Sequence, residues 1–215
     1  MSPHDPYRVR IKICGLTRPE DAREAVAAGA DAIGLVFFEK SPRSVTVAQA
    51  REVVSELPPF VTVTGLFVNA ALHDIESISN QVRLDAWQLH GDETPDFCNR
   101  LPRRIIKALR VADENDMRKA AAYTVAAILY DAKVSGLPGG NGRTFDWSLL
   151  QHHPGHRPLI LAGGLNPGNV AAAVSQVRPH AVDVSSGVES APGIKDPRLI
   201  RHFVSEVHRG WSGSR

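Results

Sequence analysis

Short apolar runs alternate with amphipathic, alanine-rich segments along the whole chain, and this alternation limits the fold more than any single motif does. The runs predict strands at 9–14, 31–37, 61–68, 84–89, 104–109, 126–131, 158–162 and 181–184. The segments between and after them predict helices near 18–28, 47–56, 71–80, 94–100, 113–122, 146–151, 167–177 and 196–208. Strands that alternate with helices make a parallel sheet, because each parallel pair needs a crossover. Eight such units in 215 residues predict an α/β fold, a single-domain (β/α)8 TIM barrel spanning 1–215. A doubly wound open sheet is the alternative, but eight units at this length favour closure. No stretch reads as a linker, and about 1–7 and 210–215 read as loose termini.

Local punctuation agrees with the pattern. Thr17 or Arg18 opens the first helix, with Pro19 near its first position and Glu20 and Asp21 suited to a helix N-terminus. Gly29 ends it. Asn166-Pro167 and Asp196-Pro197 repeat the start signal, with Asn166 expected as an N-cap.

Period-two alternation assigns faces to the strands. Arg10, Lys12 and Cys14 share one face of the first strand, and Val9, Ile11 and Ile13 the other. In a barrel the apolar set faces the helices, so the polar set points inward with Cys14 nearest the C-terminal mouth. Gln88 and His90 of the fourth unit, Asp131 of the sixth, and Asp183 and Ser185 of the eighth follow the same rule. Polar inward residues at C-terminal strand ends mark the catalytic face of this architecture. The blander alternative is that they satisfy one another in a wet barrel centre.

Composition excludes several classes of function. A formal net charge of +2 gives no global field for nucleic acid or a membrane surface. No apolar run approaches the roughly 18 residues of a membrane span, and the N-terminus has no signal-peptide core. Two cysteines, Cys14 and Cys98, are too few for a disulfide framework, and no CxxC pair suggests zinc, so a reducing cytoplasmic compartment is expected. Any anionic ligand must be held by local arrangements. Two glycine loops qualify: Gly163-Gly164 after the seventh strand, and Ser186-Gly187 after the eighth. Loops in these places form the recurrent phosphate site of such barrels, through backbone N–H groups and a helix N-terminus. A third, longer segment at 134–144, with Gly140 and Gly142, is expected to be a lid. Arg43, after the second strand, carries a planar fork suited to a carboxylate.

Taken together, these segments resemble the phosphoribosylanthranilate isomerase family. The matching stretches are Lys12-Ile13-Cys14-Gly15-Leu16-Thr17, Lys40-Ser41-Pro42-Arg43, Gly65-Leu66-Phe67-Val68-Asn69, Gln88-Leu89-His90-Gly91-Asp92-Glu93, Asp131-Ala132, Gly139-Gly140-Asn141-Gly142, Leu161-Ala162-Gly163-Gly164-Leu165-Asn166-Pro167 and Asp183-Val184-Ser185-Ser186-Gly187-Val188-Glu189. They occur in family order across nearly the whole chain. The resemblance implies an Amadori rearrangement in tryptophan biosynthesis that needs no cofactor and no metal. It implies Cys14 as general base, Asp131 as general acid, Arg43 on the anthranilate carboxylate, and the Gly163-Gly164 and Ser186-Gly187 loops on the phosphate. Lys12, His90 and Asp183 are read as supporting groups, Gly140 and Gly142 as part of the lid. The expected ligand is a small phosphoribosyl compound, and the expected assembly a monomer or homodimer. An acid must hold its proton, whereas a free Asp titrates near 3.9, so Asp131 is expected to need burial or a nearby anion. Asn141 departs from the Thr or Ser common in the family's glycine loop, and Glu39 and Ser44 depart from common Pro and Tyr around Arg43. A scaffold or sensor built on the same phosphosugar-binding barrel, without turnover, is the alternative function.

Overall fold

The computed structural model describes residues 8–111, 113–131, 147–152 and 157–212. Eight parallel strands close into a barrel in chain order: β1 (Arg10–Cys14), β2 (Ala32–Val36), β3 (Thr62–Phe67), β4 (Ala86–Leu89), β5 (Arg104–Arg110), β6 (Ala127–Asp131), β7 (Leu159–Ala162) and β8 (Ala181–Val184), with β8 pairing back onto β1. Around them lie α1 (Pro19–Ala28), α2 (Val47–Ser55), α3 (Leu72–Val82), α4 (Pro95–Asn99), α5 (Glu114–Lys119), α6 (Val170–Val177) and α7 (Pro197–Ser212). The closed (β/α)8 barrel is the fold the alternation predicts. No described helix is long and apolar enough to cross a membrane.

The alternation separates two apolar cores. Outward-facing Ile11, Ile13, Ile33, Leu35, Trp87, Tyr130, Leu161 and Val182 pack against Ala22, Ala25, Val53, Ile75, Phe203 and Val207 from the helices. Each fully buried aliphatic side chain of this kind contributes about 1.5–3 kcal/mol, so this shell holds the helices onto the sheet. Inside the barrel a smaller cluster of Ala108, Ala127, Leu129, Ile160, Ala162 and Ala181 fills one side. Lys12, Thr64, Gln88 and Asp183 are also buried. They are inward residues of β1, β3, β4 and β8, so the barrel interior carries its apolar cluster mainly on the β5–β7 side and its buried polar groups on the opposite strands.

The structure departs from the sequence expectation at several places. The helix expected at 146–151 is a 3-10 segment, Trp147–His152. The helix expected from 167 begins at Val170, and its N-cap is Asn169 rather than Asn166. Asn166 instead turns the chain: its Oδ1 accepts from Gly168 N at 2.8 Å, while Asn169 Oδ1 accepts from Asn166 N at 2.9 Å. The last helix runs to Ser212, so Gly210–Ser212 are helical rather than a loose tail. Gly210 permits this, because a Cβ there would lie 2.4 Å from the Ala171 carbonyl oxygen. α7 can therefore lie close on α6, and Trp211 then stacks under Arg178 at 5.3 Å. Finally, an antiparallel ribbon of β9 (Glu189–Ala191) and β10 (Ile194–Lys195) stands between β8 and α7. At the opposite rim, in the turn after α2, Phe60 is fully exposed at φ 73°.

Candidate active site at the C-terminal rim of the barrel

A cavity of about 270 Å³ opens at the C-terminal ends of the strands. Its walls include Cys14, Arg43, Gln88, His90, Asp131, Gly163, Gly164, Asp183, Ser185 and Ser186. Strand register explains how they meet. Lys12 is the cross-strand partner of Asp183 in the β1–β8 ladder, and Cys14 that of Gly34 in the β1–β2 ladder.

Lys12 Nζ donates to Asp183 Oδ1 at 2.9 Å and to Oδ2 at 3.0 Å, with both side chains buried. Burial alone would push the Lys12 ammonium down, but Asp183 and then Cys14 outweigh it and hold the ammonium above its ordinary value. Burial pushes the Cys14 thiol up; Lys12 opposes this and Asp183 reinforces it, so the thiol ends above its ordinary value. Lys12 is thus a protonated neighbour whose charge is shared between a carboxylate and a sulfur.

Gly34 makes room for both groups. A Cβ there would stand 2.7 Å from Cys14 Sγ, 2.9 Å from Lys12 Nζ and 3.1 Å from Cys14 Cα. Gly34→Ala is therefore expected to displace the sulfur and lower turnover by about 10–100-fold. Overpacking of this sort costs about 1–3 kcal/mol of stability, which a barrel of this size can absorb with a modest drop in melting temperature. Steady-state kinetics beside a thermal melt checks both parts.

Asp131, the last residue of β6, lies on a strand that is not a neighbour of β1, so it faces the cavity from another wall than Cys14 does. His90 Nε2 is 3.4 Å from Asp131 Oδ2, and Gln88 Nε2 is 3.2 Å from His90 Nδ1. His90 is held from behind by a buried pair. Lys107 Nζ donates to Glu93 Oε2 at 2.6 Å and to the Gly91 carbonyl at 2.7 Å, and Glu93 Oε1 accepts from Asn69 N at 2.9 Å. Cys98 is buried in the outer core and plays a packing role, as its lack of a matched motif suggests.

Arg43 reaches the cavity but is already engaged. Its Nε donates to Glu189 Oε1 at 2.8 Å and its Nη2 to Oε2 at 2.6 Å. Lys195 Nζ donates to the same carboxylate at 2.7 Å. Burial alone would raise Glu189, but its two cationic partners hold it below the ordinary carboxylate range. Neither Glu189 nor Lys195 stands out in the sequence as a site residue. The only available signal is that Glu189 closes the Ser185-Ser186-Gly187-Val188-Glu189 motif.

The two glycine loops abut. Gly163 and Gly164 both have positive φ, 88° and 65°, and a Cβ on Gly164 would meet nothing within 4 Å. A Cβ on Gly187 would lie 1.9 Å from the Leu165 carbonyl oxygen, so only glycine allows the second loop to rest on the first. Ser186–Val188 forms a 3-10 turn beside the cavity.

Of the residues selected from sequence, Cys14, Arg43, His90, Asp131, Gly163, Gly164, Asp183 and Ser186 line one cavity. Lys12 lies beneath it, paired to Asp183, and Gly187 lies behind it as the contact between loops. Gly140 and Gly142, with the lid expected at 134–144, lie outside the described residues.

A closed parallel barrel with a thiol, carboxylates, an imidazole and an arginine gathered at its C-terminal rim is a (β/α)8 protein with its cavity on the face where this architecture carries active sites. Residues 11–206 match the family model described as N-(5'-phosphoribosyl)anthranilate (PRA) isomerase. The chain belongs to that family. The N-(5'-phosphoribosyl)anthranilate isomerase of Pseudomonas fluorescens strain SBW25 is 57% identical over 209 residues, which cover 96% of this chain and 98% of the relative. The crystal structure of phosphoribosyl anthranilate isomerase from Thermotoga maritima superposes with a TM-score of 0.87 at 47% identity, covering 93% of this chain and 98% of that one. A phosphoribosyl anthranilate isomerase structure in complex with reduced 1-(o-carboxyphenylamino)-1-deoxyribulose 5-phosphate superposes with a TM-score of 0.83 at 44% identity, with the same coverage.

Proposed function

We propose that the rim cavity converts N-(5'-phosphoribosyl)anthranilate to 1-(2-carboxyphenylamino)-1-deoxyribulose 5-phosphate, an isomerisation of tryptophan biosynthesis. The observation that carries this reading is the meeting of Cys14, Asp131 and Arg43 with two glycine loops in one cavity. Asp131 gives a proton to the furanose ring oxygen as the C1–O bond breaks, leaving a protonated imine at C1. Cys14, after its thiol has released its proton to solvent, takes the C2 proton as the thiolate, and the C–H electrons form the C1=C2 bond and neutralise the imine nitrogen. The resulting enolamine takes up a proton at C1 as its C2 hydroxyl gives one up, and becomes the ketone at C2. C1 is reduced as C2 is oxidised, so the reaction is balanced within the substrate.

The binding roles follow from charge. The end-on N–H pair of Arg43, turned away from Glu189, takes the anthranilate carboxylate. Backbone N–H groups of Gly163, Gly164 and Ser186 take the phosphate, which suits a chain of nearly zero net charge. His90 holds Asp131 in place, and Lys12 and Asp183 hold Cys14. The cationic imine that forms at C1 lies beside the sulfur and favours its thiolate when the proton must leave C2.

Purified protein should isomerise the substrate generated from anthranilate and a phosphoribosyl donor, read by loss of substrate fluorescence. Expression should restore growth without tryptophan to a strain lacking this isomerase. Soluble protein that does neither is the result expected of a scaffold or sensor, and it would overturn the reading.

A further inference from the structure

We infer that Glu189 and Lys195 are positioning residues that join the carboxylate grip and the phosphate grip into one rigid unit, and so set the span of doubly anionic substrate the site accepts. This rests on the reading of Arg43 as the group that holds the substrate carboxylate.

The geometry starts with the ribbon after β8. Glu189 side-on occupies Nε and Nη2 of Arg43, which fixes the plane of the guanidinium and leaves the end-on N–H pair of this cavity-lining residue outside that carboxylate's grip. Lys195, with a wholly buried side chain, donates to Glu189 at 2.7 Å and to the Ser185 carbonyl at 3.2 Å. Ser185 is the residue immediately before the Ser186–Val188 turn. One ammonium therefore touches both the carboxylate that orients Arg43 and the root of the phosphate turn.

The ribbon is itself pinned to the loops on either side. Thr17 Oγ1 donates to the Gly193 carbonyl at 2.6 Å, and Asp21 Oδ2 accepts from Lys195 N at 3.0 Å. A Cβ on Gly193, at φ 81°, would lie 3.1 Å from the Pro42 carbonyl oxygen. Gly15, at φ 73° and next in sequence to Cys14, carries Arg43 across it: a Cβ there would lie 2.6 Å from Arg43 Cδ and 3.0 Å from Ser185 Oγ. The loops after β1, β2 and β8 thus share one set of contacts, with Glu189 and Lys195 at its centre. A carboxylate between two cations leaves one net positive charge, matched to one incoming carboxylate. A purely structural ion pair has no need to meet an arginine at the cavity wall.

The test compares two substrates: N-(5-phosphoribosyl)anthranilate and N-(5-phosphoribosyl)aniline, which lacks the carboxylate. For Glu189→Gln, KM for the first is expected to rise about 10–50-fold while kcat stays within about threefold, because orientation of Arg43 serves ground and transition states alike. kcat/KM for the aniline substrate should stay within about threefold. The double variant R43A/E189Q should be no worse on the anthranilate substrate than R43A alone. Lys195→Met should raise KM for both substrates, since it also releases Ser185. Should either single variant fail to fold, E189Q/K195M removes both buried charges together and takes its place, with the carboxylate-dependent loss still expected. Equal losses on both substrates for E189Q, or multiplying effects of R43A and E189Q, would overturn the inference. A wild-type protein without turnover of the anthranilate substrate would overturn the proposed function instead.

Discussion

Cys14→Ala is expected to lower kcat by about 10³-fold, roughly 4 kcal/mol of barrier, while the fold and ligand affinity persist. The side chain is small and removes no helix contact, since Cys14 ends β1 on the cavity side and the outer core relies on Ile11 and Ile13 instead. What goes is the group that takes the C2 proton in the proposed reaction. Cys14→Ser should be nearly as slow, because a hydroxyl is a far weaker acid than a thiol and offers almost no anion near neutrality. The pH profile adds an independent check. Burial holds the Cys14 thiol above its ordinary value, so the free enzyme stores the base in protonated form. kcat/KM should climb as pH rises from neutral into the alkaline range, and this climb should vanish in Cys14→Ala. Binding of reduced 1-(o-carboxyphenylamino)-1-deoxyribulose 5-phosphate by titration calorimetry should change by less than about threefold. Turnover of the alanine variant within tenfold of the parent, or a wild-type rate flat from pH 7 to 9, would remove Cys14 from its role.

Asp131→Asn should cause a loss of similar size, about 10³-fold in kcat, for a different reason. Asparagine keeps the shape and the contact with His90 but carries no proton that can be given to the ring oxygen. The furanose then has to open with no acid at hand. The reduced product is already open-chain and has no ring oxygen to protonate, so its affinity should fall by only a few fold. Loss of that affinity in parallel with turnover would mean that Asp131 is a binding group rather than the acid. His90→Gln offers a milder companion measurement, with loss expected to be smaller because it reaches Asp131 only through a 3.4 Å contact.

The barrel was legible because its signal is local and repeated. Each strand carries a period-two pattern, so Ile11 and Ile13 could be sent outward and Lys12 and Cys14 inward from the sequence alone. Asp131 and Asp183 were placed by the same rule, and the cavity collects them. Contacts made by distant parts of the chain were not legible. Arg43 and Glu189 are separated by 146 positions, and nothing near either residue announces the other. The ribbon carrying Glu189 and Lys195 has strands of three and two residues, below the length at which alternation can be read. Two asparagines three positions apart compete for the start of α6, and the sequence does not show that both side chains would be spent on the preceding turn. Gly34 was visible only as a glycine inside a strand, a mark of close approach, with the approaching groups supplied by the neighbouring strand.

The barrel also divides its labour by type of backbone. Cys14, Asp131 and Asp183 stand on strands, where ladder hydrogen bonds fix them. Arg43, Gly163, Gly164, Ser186 and the ribbon stand on the connections. On the proposed roles, the groups that move protons and the groups that hold the ligand can therefore vary separately. A library that rewrites the connections after β2, β7 and β8 while leaving the strands intact would alter which aryl and phosphate groups fit, and leave the base and acid where they are.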